Sequence, residues 1–130
     1  MIEPGDLNLP HVIAEVEAAF RNYETALNNN DLAALDGHFW HDPLVVRYGA
    51  TENLYGIEAI RAYRRARDAS RLERQLMRTQ IVTFGEDMAV ATTEFQRPGQ
   101  GSGRQTQVWM RLPEGWRIVS AHISLLGNSA

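Results

Sequence analysis

Residues 40–65, WHDPLVVRYGATENLYGIEAIRAYRR, set a short strand, a turn-rich loop and a helix in quick succession, and the reading of their centre decides the fold. The run 44–48 (LVVRY) is too short and too β-branched for a helix. Period-two alternation puts Val45 and Arg47 on one face and Leu44, Val46 and Tyr48 on the other. Arg47 therefore shares a face with an apolar neighbour. A guanidinium removed from water needs an acid, carbonyls or an anionic guest, because leaving it unpaired costs roughly several kcal/mol. Two readings stay open. One is a structural ion pair with Glu94 or Asp42; the other is the anion-binding floor of a pocket.

Working outward, Asp42-Pro43 opens the strand, since proline is tolerated at a strand's first residue. The loop GATENLYG follows, with Gly49 and Gly56 bracketing Glu52, Asn53 and Tyr55. Gly56 and Glu58 then open a helix, IEAIRAYRRARD, whose last turn is rich in Arg, as the helix dipole prefers; Ile57, Ile60 and Tyr63 form its expected buried side. Upstream, residues 1–8 read as a loose tail and the single domain as 9–130. From Pro10, Val12, Val16, Ala19, Phe20, Tyr23, Ala26 and Leu27 recur at helical spacing, giving one long amphipathic helix that ends at the three asparagines 28–30. Those asparagines, or Asp31, cap a short second helix with Leu32 and Leu35 inward. A tyrosine on the buried stripe of the first helix must still place its hydroxyl, and a pocket edge is one solution.

Beyond Ser70 the period changes to two. Four strands are expected, QLMRTQIVTF, MAVATTEFQR, GRQTQVWMRL and GWRIVSAHISLL, separated by short Gly- and Pro-bearing turns that imply an antiparallel meander. Three helices followed by such a sheet make an α+β fold with one helical layer. A sheet wrapped on a long helix leaves a conical cavity at its open end. On the last strand, alternation puts Trp116, Ile118, Ser120, His122 and Ser124 on one face and Arg117, Val119, Ala121, Ile123 and Leu125 on the other. Periodicity does not decide which face is concave. His122 is thus either a structural residue on a polar outer face or a pocket residue, and Gln107 and Trp109 carry the same ambiguity.

The chain has 130 residues, a net charge of -3 and no cysteine, which excludes thiol catalysis, disulfide frameworks and Cys-ligated zinc. All thirteen basic residues are Arg, so Schiff-base lysine chemistry is excluded. Seven of them fall between Arg61 and Arg78, a cluster read as a solvated helix face, and nucleic-acid binding is not expected. No apolar run spans a membrane and the start lacks a signal-peptide pattern, so a cytoplasmic protein is expected. His38 and His41 near Asp42 match no metal-binding spacing. The loop GQGSG is neither a phosphate loop nor a nucleophile elbow. Neither metal nor cofactor is expected.

The order of elements, with FWHDP, VRYG, ENLYG and GRQTQVWMR, resembles the nuclear-transport-factor-2-like (SnoaL-like, cystatin-like cone) superfamily, and within it the AtzH-like family, from about Leu9 to Leu126. The closing strand pair is also similar to the association domain of calmodulin-dependent kinase. The resemblance implies a small amidase-like enzyme of bacterial nitrogen catabolism, acting on a carboxylated urea compound such as 1,3-dicarboxyurea to give allophanate beside a larger amidase. It further implies a homodimer formed through the sheet, whose outer strand set is expected to be apolar. The family's catalytic tyrosine and arginine fall on Tyr23 and Arg47. Arg47 is then expected to grip a substrate carboxylate and Tyr23 to exchange a proton with the scissile nitrogen or an attacking water. Tyr48 and Trp109 are expected to wall the pocket, with Asn53, Gln107, His122 and Ser124 supplying hydrogen bonds. The alternatives are a non-catalytic accessory module and a ketosteroid-isomerase-like enzyme, for which Glu94 is the nominated base.

Overall fold

The computed structural model describes residues 1–127; residues 128–130, the end of the expected domain, lie outside the described residues. Helix α1 (Pro10–Asn28) starts with proline at its first position, where the missing N–H is harmless. Helix α2 (Leu32–Gly37) is capped by Asp31, whose carboxylate accepts the Ala34 N–H at 3.2 Å. Helix α3 (Ile57–Ala66) begins after Gly56, which has φ +87° and where a Cβ would meet the Pro43 carbonyl oxygen at 3.3 Å. Strand β1 (Val46–Tyr48) precedes α3, and β3 (Gln75–Phe84), β4 (Met88–Arg97), β5 (Gly101–Leu112) and β6 (Gly115–Leu125) follow it as the expected meander.

One strand was not expected. Asn53–Tyr55 forms β2, which pairs antiparallel with β1 inside what reads as a loop. The turn that allows it is short: the Gly49 N–H donates to the Glu52 carbonyl at 2.9 Å and folds the chain straight back. The six strands run in the order β2-β1-β6-β5-β4-β3, and β1 meets β6 in parallel. Three helices on this mixed, mostly antiparallel sheet make the α+β fold.

The inner face of the sheet carries alternate residues of each strand. Ala89 and Ala91 of β4 and Ala121 of β6 are buried there beside Trp109 and Gln107 of β5. Small residues next to large ones let the sheet close on α1, whose Val12, Val16, Phe20, Tyr23 and Leu27 join the same core. A bulge interrupts β6: Val108 pairs Ser120 while Trp109 pairs Ile118, which leaves Val119 as the extra residue. Alternation changes phase there. Trp116 and Ile118 point inward before it, and Ala121 and Ile123 point inward after it, so the two faces expected for this strand each mix inner and outer residues.

Two further expectations change. Residues 6–8 at the end of the expected tail are tied to the sheet: Asn8 exchanges hydrogen bonds with Thr83, and the Gly85 N–H donates to the Asp6 carbonyl. The arginine cluster after residue 60 is not wholly solvated, since Arg64 and Arg74 are buried against Asp36 and Glu24. Among the described residues, no helix is long and apolar enough to cross a membrane.

Gly103 faces Phe95 across β4 and β5. A Cβ there would stand 2.4 Å from the Phe95 ring and 2.7 Å from the Ser124 carbonyl oxygen. Gly103→Ala is expected to lower stability by roughly 1–3 kcal/mol, the usual range for overpacking, in urea unfolding monitored by tryptophan fluorescence.

Candidate functional site

Strand β1 positions the central cation. Arg47 lies opposite Ala121 of β6, and its side chain enters the interior, leaving the residue 6% exposed. Its partner is neither Glu94 nor Asp42. Glu94 is exposed on the outer face beside Arg104, and Asp42 accepts the Leu44 N–H. The Glu52 carboxylate takes that place, with Oε1 accepting from Arg47 Nη1 at 2.9 Å. Burial pushes the Glu52 carboxyl up, but hydrogen bonds from the Thr51 hydroxyl and from Arg47 outweigh it and hold the group below its ordinary range. Among the described residues this is the one hydrogen bond that the Arg47 guanidinium makes, so most of its five donors stay open to a guest.

Arg47 lines a cleft of about 290 Å³ at the mouth of the cone. Tyr63 and Arg67 enter it from the end of α3, Arg97 from the end of β4, and Glu52 from the β1–β2 turn. The guanidinium carbons of Arg47 and Arg67 stand 5.4 and 6.0 Å from the centre of the Tyr63 ring, so one aromatic ring neighbours two cations. Arg97 packs on the Phe95 ring at 5.0 Å. With Arg71 also in the wall, four arginines face two carboxylates, Glu52 and Asp68. Burial and then the nearby Arg47 charge bring Arg67 down from the ordinary arginine range; burial, Arg74 and Arg47 do the same for Arg97.

Tyr23 is buried, with its ring on His38 and Phe39. Its phenol lies within electrostatic range of Arg67 and Arg97, and each of these is also within range of Arg47. Tyr23 is not among the residues that line the cleft. Behind them, Glu24 accepts from Nε and Nη2 of Arg74, and Arg74 Nη2 also donates to Gln105 Oε1 at 3.0 Å. Trp109 donates to Gln107 Oε1 at 3.1 Å. Both amides thus have their oxygen ends engaged and their NH₂ ends free. Among the described residues, the buried atoms here without a partner are all donors: Nε and Nη2 of Arg67, Nε of Arg97, Nη1 of Arg74 and Nε2 of Gln105 and Gln107. Each orphaned donor costs about 1–3 kcal/mol unless an acceptor arrives. An acceptor-rich anion suits this interior.

The residues expected around the pair divide. Gln107 and Trp109 do face inward, though they sit in the closed interior and not in the wall of the cleft. Tyr48, Asn53, His122 and Ser124 do not reach it. Tyr48 follows Arg47 on β1 and so points to the outer face, where its hydroxyl meets that of Tyr55 at 2.8 Å and its ring meets His122 edge-on at 5.7 Å. Asn53 is exposed on β2, and His122 and Ser124 fall on the outer side of β6 once the bulge at Val119 has reset the phase. That outer face is polar at its centre, with Arg78, Thr92, Glu94, Arg104 and Thr106 exposed, contrary to the expected apolar set. Glu94 is thereby removed as a base inside the cone.

Sequence reasoning missed Glu52, Arg67 and Arg97, and Glu24 with Arg74. Arg67 and Arg97 gave one usable signal, since each ends an element just before a turn, where a side chain can fold over the mouth of a cone. Among the described residues, no group of three or more His, Asp or Glu side chains converges to hold a metal ion.

The sequence model of the AtzH-like family matches residues 5–129. A crystal structure of a protein of unknown function from Pectobacterium atrosepticum is 56% identical, with a TM-score of 0.95 over 98% of this chain and 100% of that one. A cystatin-like fold protein from Burkholderia xenovorans is 45% identical, with a TM-score of 0.91 over 99% and 100% of the two chains. At the level of fold alone, a ketosteroid isomerase-like protein from Erwinia carotovora atroseptica is similar, with 15% identity and a TM-score of 0.77 over 92% and 100%. No curated protein matches the chain.

His38 lies against the Tyr23 and Trp109 rings, and burial, followed by the charges of Arg117 and Arg64, depresses its pKa below the ordinary imidazole range. The unfolded chain therefore binds this proton more readily than the folded one. Stability from His38 is complete above the unfolded imidazole pKa and is lost as pH falls through that value toward the folded one. Urea midpoints measured from about pH 8 to about pH 5 should fall less steeply in His38→Gln than in the parent.

Proposed function

The chain belongs to the AtzH-like family, and on that premise we propose that it is a cofactor-independent amidohydrolase of nitrogen catabolism, acting on a carboxylated urea compound such as 1,3-dicarboxyurea to give allophanate. The observation that carries this reading is the arginine-rich cleft at Arg47, in which Arg67 and Arg97 keep donors without acceptors. A carboxylated urea is rich in acceptors and negatively charged, which answers each of those groups. Arg47 grips one carboxylate through a planar fork that lysine lacks, and this orients the urea core. At the other end, water adds to the terminal carboxyl carbon and the C–N bond breaks. The nitrogen takes the Tyr23 phenolic proton, the carboxyl group leaves as bicarbonate, and the phenolate recovers the proton that the water gives up. Burial of Tyr23 keeps the transfer away from bulk solvent.

The test uses purified protein and 1,3-dicarboxyurea, with release of bicarbonate or carbon dioxide followed over time. Tyr23→Phe and Arg47→Lys should keep their circular dichroism and melting behaviour and lose turnover by about 100-fold or more, the scale of a missing proton donor or substrate clamp. Full turnover in either folded variant removes the role assigned to that residue. Turnover that appears only when a larger amidase is added replaces the enzyme with an accessory module.

A further inference from the structure

In the free protein Arg47 already holds a carboxylate. Glu52 Oε1 sits 2.9 Å from Nη1, while Oε2 is fixed by the Thr51 hydroxyl at 2.8 Å and the Thr51 N–H at 3.2 Å. Gly49 makes room for it: a Cβ at that position would stand 1.6 Å from Glu52 Oε1. The carboxylate is thus a built-in occupant of the position in which a guest carboxylate would lie. A guest arriving beside Arg47 either displaces Oε1 or shares the guanidinium with a second negative charge, and both weaken a ligand that has only one charged end.

Elsewhere in the same cleft the balance is reversed. Arg67 Nε and Nη2 and Arg97 Nε are buried with no acceptor among the described residues. A second anionic end placed against Arg67 and Arg97, both of which line the cleft, gains charge-assisted hydrogen bonds and relieves repulsion among neighbouring guanidinium groups, which offsets the loss at Arg47. We infer that Glu52, Arg67 and Arg97 determine specificity in this cleft, with Glu52 turning monoanions away and Arg67 and Arg97 admitting a small guest that is negative at both ends. The inference rests on the proposed function for placing the substrate on Arg47. It concerns selection of the ligand, and the chemical step plays no part in it.

Equilibrium binding by calorimetry tests it without turnover, so a failed hydrolysis assay and a failed selection rule give different results. The probes are malonate, a dianion near pH 8, and acetate. The parent should prefer malonate by about 30-fold or more, the effect of one or two charge-assisted contacts. Glu52→Gln should bind acetate about tenfold more tightly and so narrow the preference. Arg67→Gln and Arg97→Gln should each weaken malonate about tenfold and leave acetate within about twofold. Arg67→Lys, which keeps the charge and loses the fork, should fall between parent and Arg67→Gln, and it stands in if the glutamine variant does not fold. Weaker acetate binding in Glu52→Gln, or an unchanged malonate-to-acetate ratio in the arginine variants, overturns the assignment.

Discussion

The arrangement depends on cations taken out of water and answered unequally. Arg74 shows what a structural answer looks like, with two nitrogens engaged by the Glu24 carboxylate and one of them also by the Gln105 carbonyl oxygen, all inside the core. Arg47 has a single bond to Glu52, and Arg67 and Arg97 keep buried nitrogens without acceptors. If stability alone governed these positions, an apolar side chain would serve as well or better, because buried charges seldom repay their desolvation. Unpartnered buried nitrogens also occur on Arg61, Arg64 and Arg74 outside the cleft, so what sets the cleft apart is that Arg47, Arg67 and Arg97 gather there around one opening.

The backbone decides which residues enter that place. Strand β1 is three residues long and is held on one side by β2 and on the other by β6. The parallel register with β6 sets Arg47 against Ala121, whose small side chain leaves the interior open beneath the guanidinium, and sets Tyr48 against His122 on the far side. The bulge at Val119 is what makes this register compatible with a buried Trp116 and Ile118 at the start of β6. Without the extra residue, either the aromatic end of the strand or the Ala121–Ile123 end would face water.

Those features explain what was legible in the sequence. The helices, the four long strands and the inward face of Arg47 follow from apolar spacing and turn residues, which act locally. The face of His122 and Ser124 does not, because a bulge is a mismatch between two strands and leaves no mark on either strand read alone. Tyr48 is a different case. The alternation that buries Arg47 already turns its neighbour outward, so placing both in one pocket conflicted with the rule used for the first. Of the two expected partners of Arg47, Glu94 lies on the outer face and Asp42 accepts the Leu44 N–H, and the tight turn at Gly49 brings Glu52 to the guanidinium instead.

Likeness of fold and likeness of site also part company in the interior. Isomerases of the ketosteroid kind need a carboxylate free to accept a proton inside the cone. The acid on the sheet, Glu94, is outside; of the buried acids, Glu24 accepts from two nitrogens of Arg74 and Asp36 accepts from Arg64, so neither is free to take a proton from a guest. The Glu52 carboxylate is likewise engaged, by Arg47 on one oxygen and Thr51 on the other. A guest in this cleft meets four arginines, the Tyr63 ring and the Glu52 and Asp68 carboxylates. That combination suits holding an anion. Likeness of fold therefore does not carry the isomerase's chemistry to this chain.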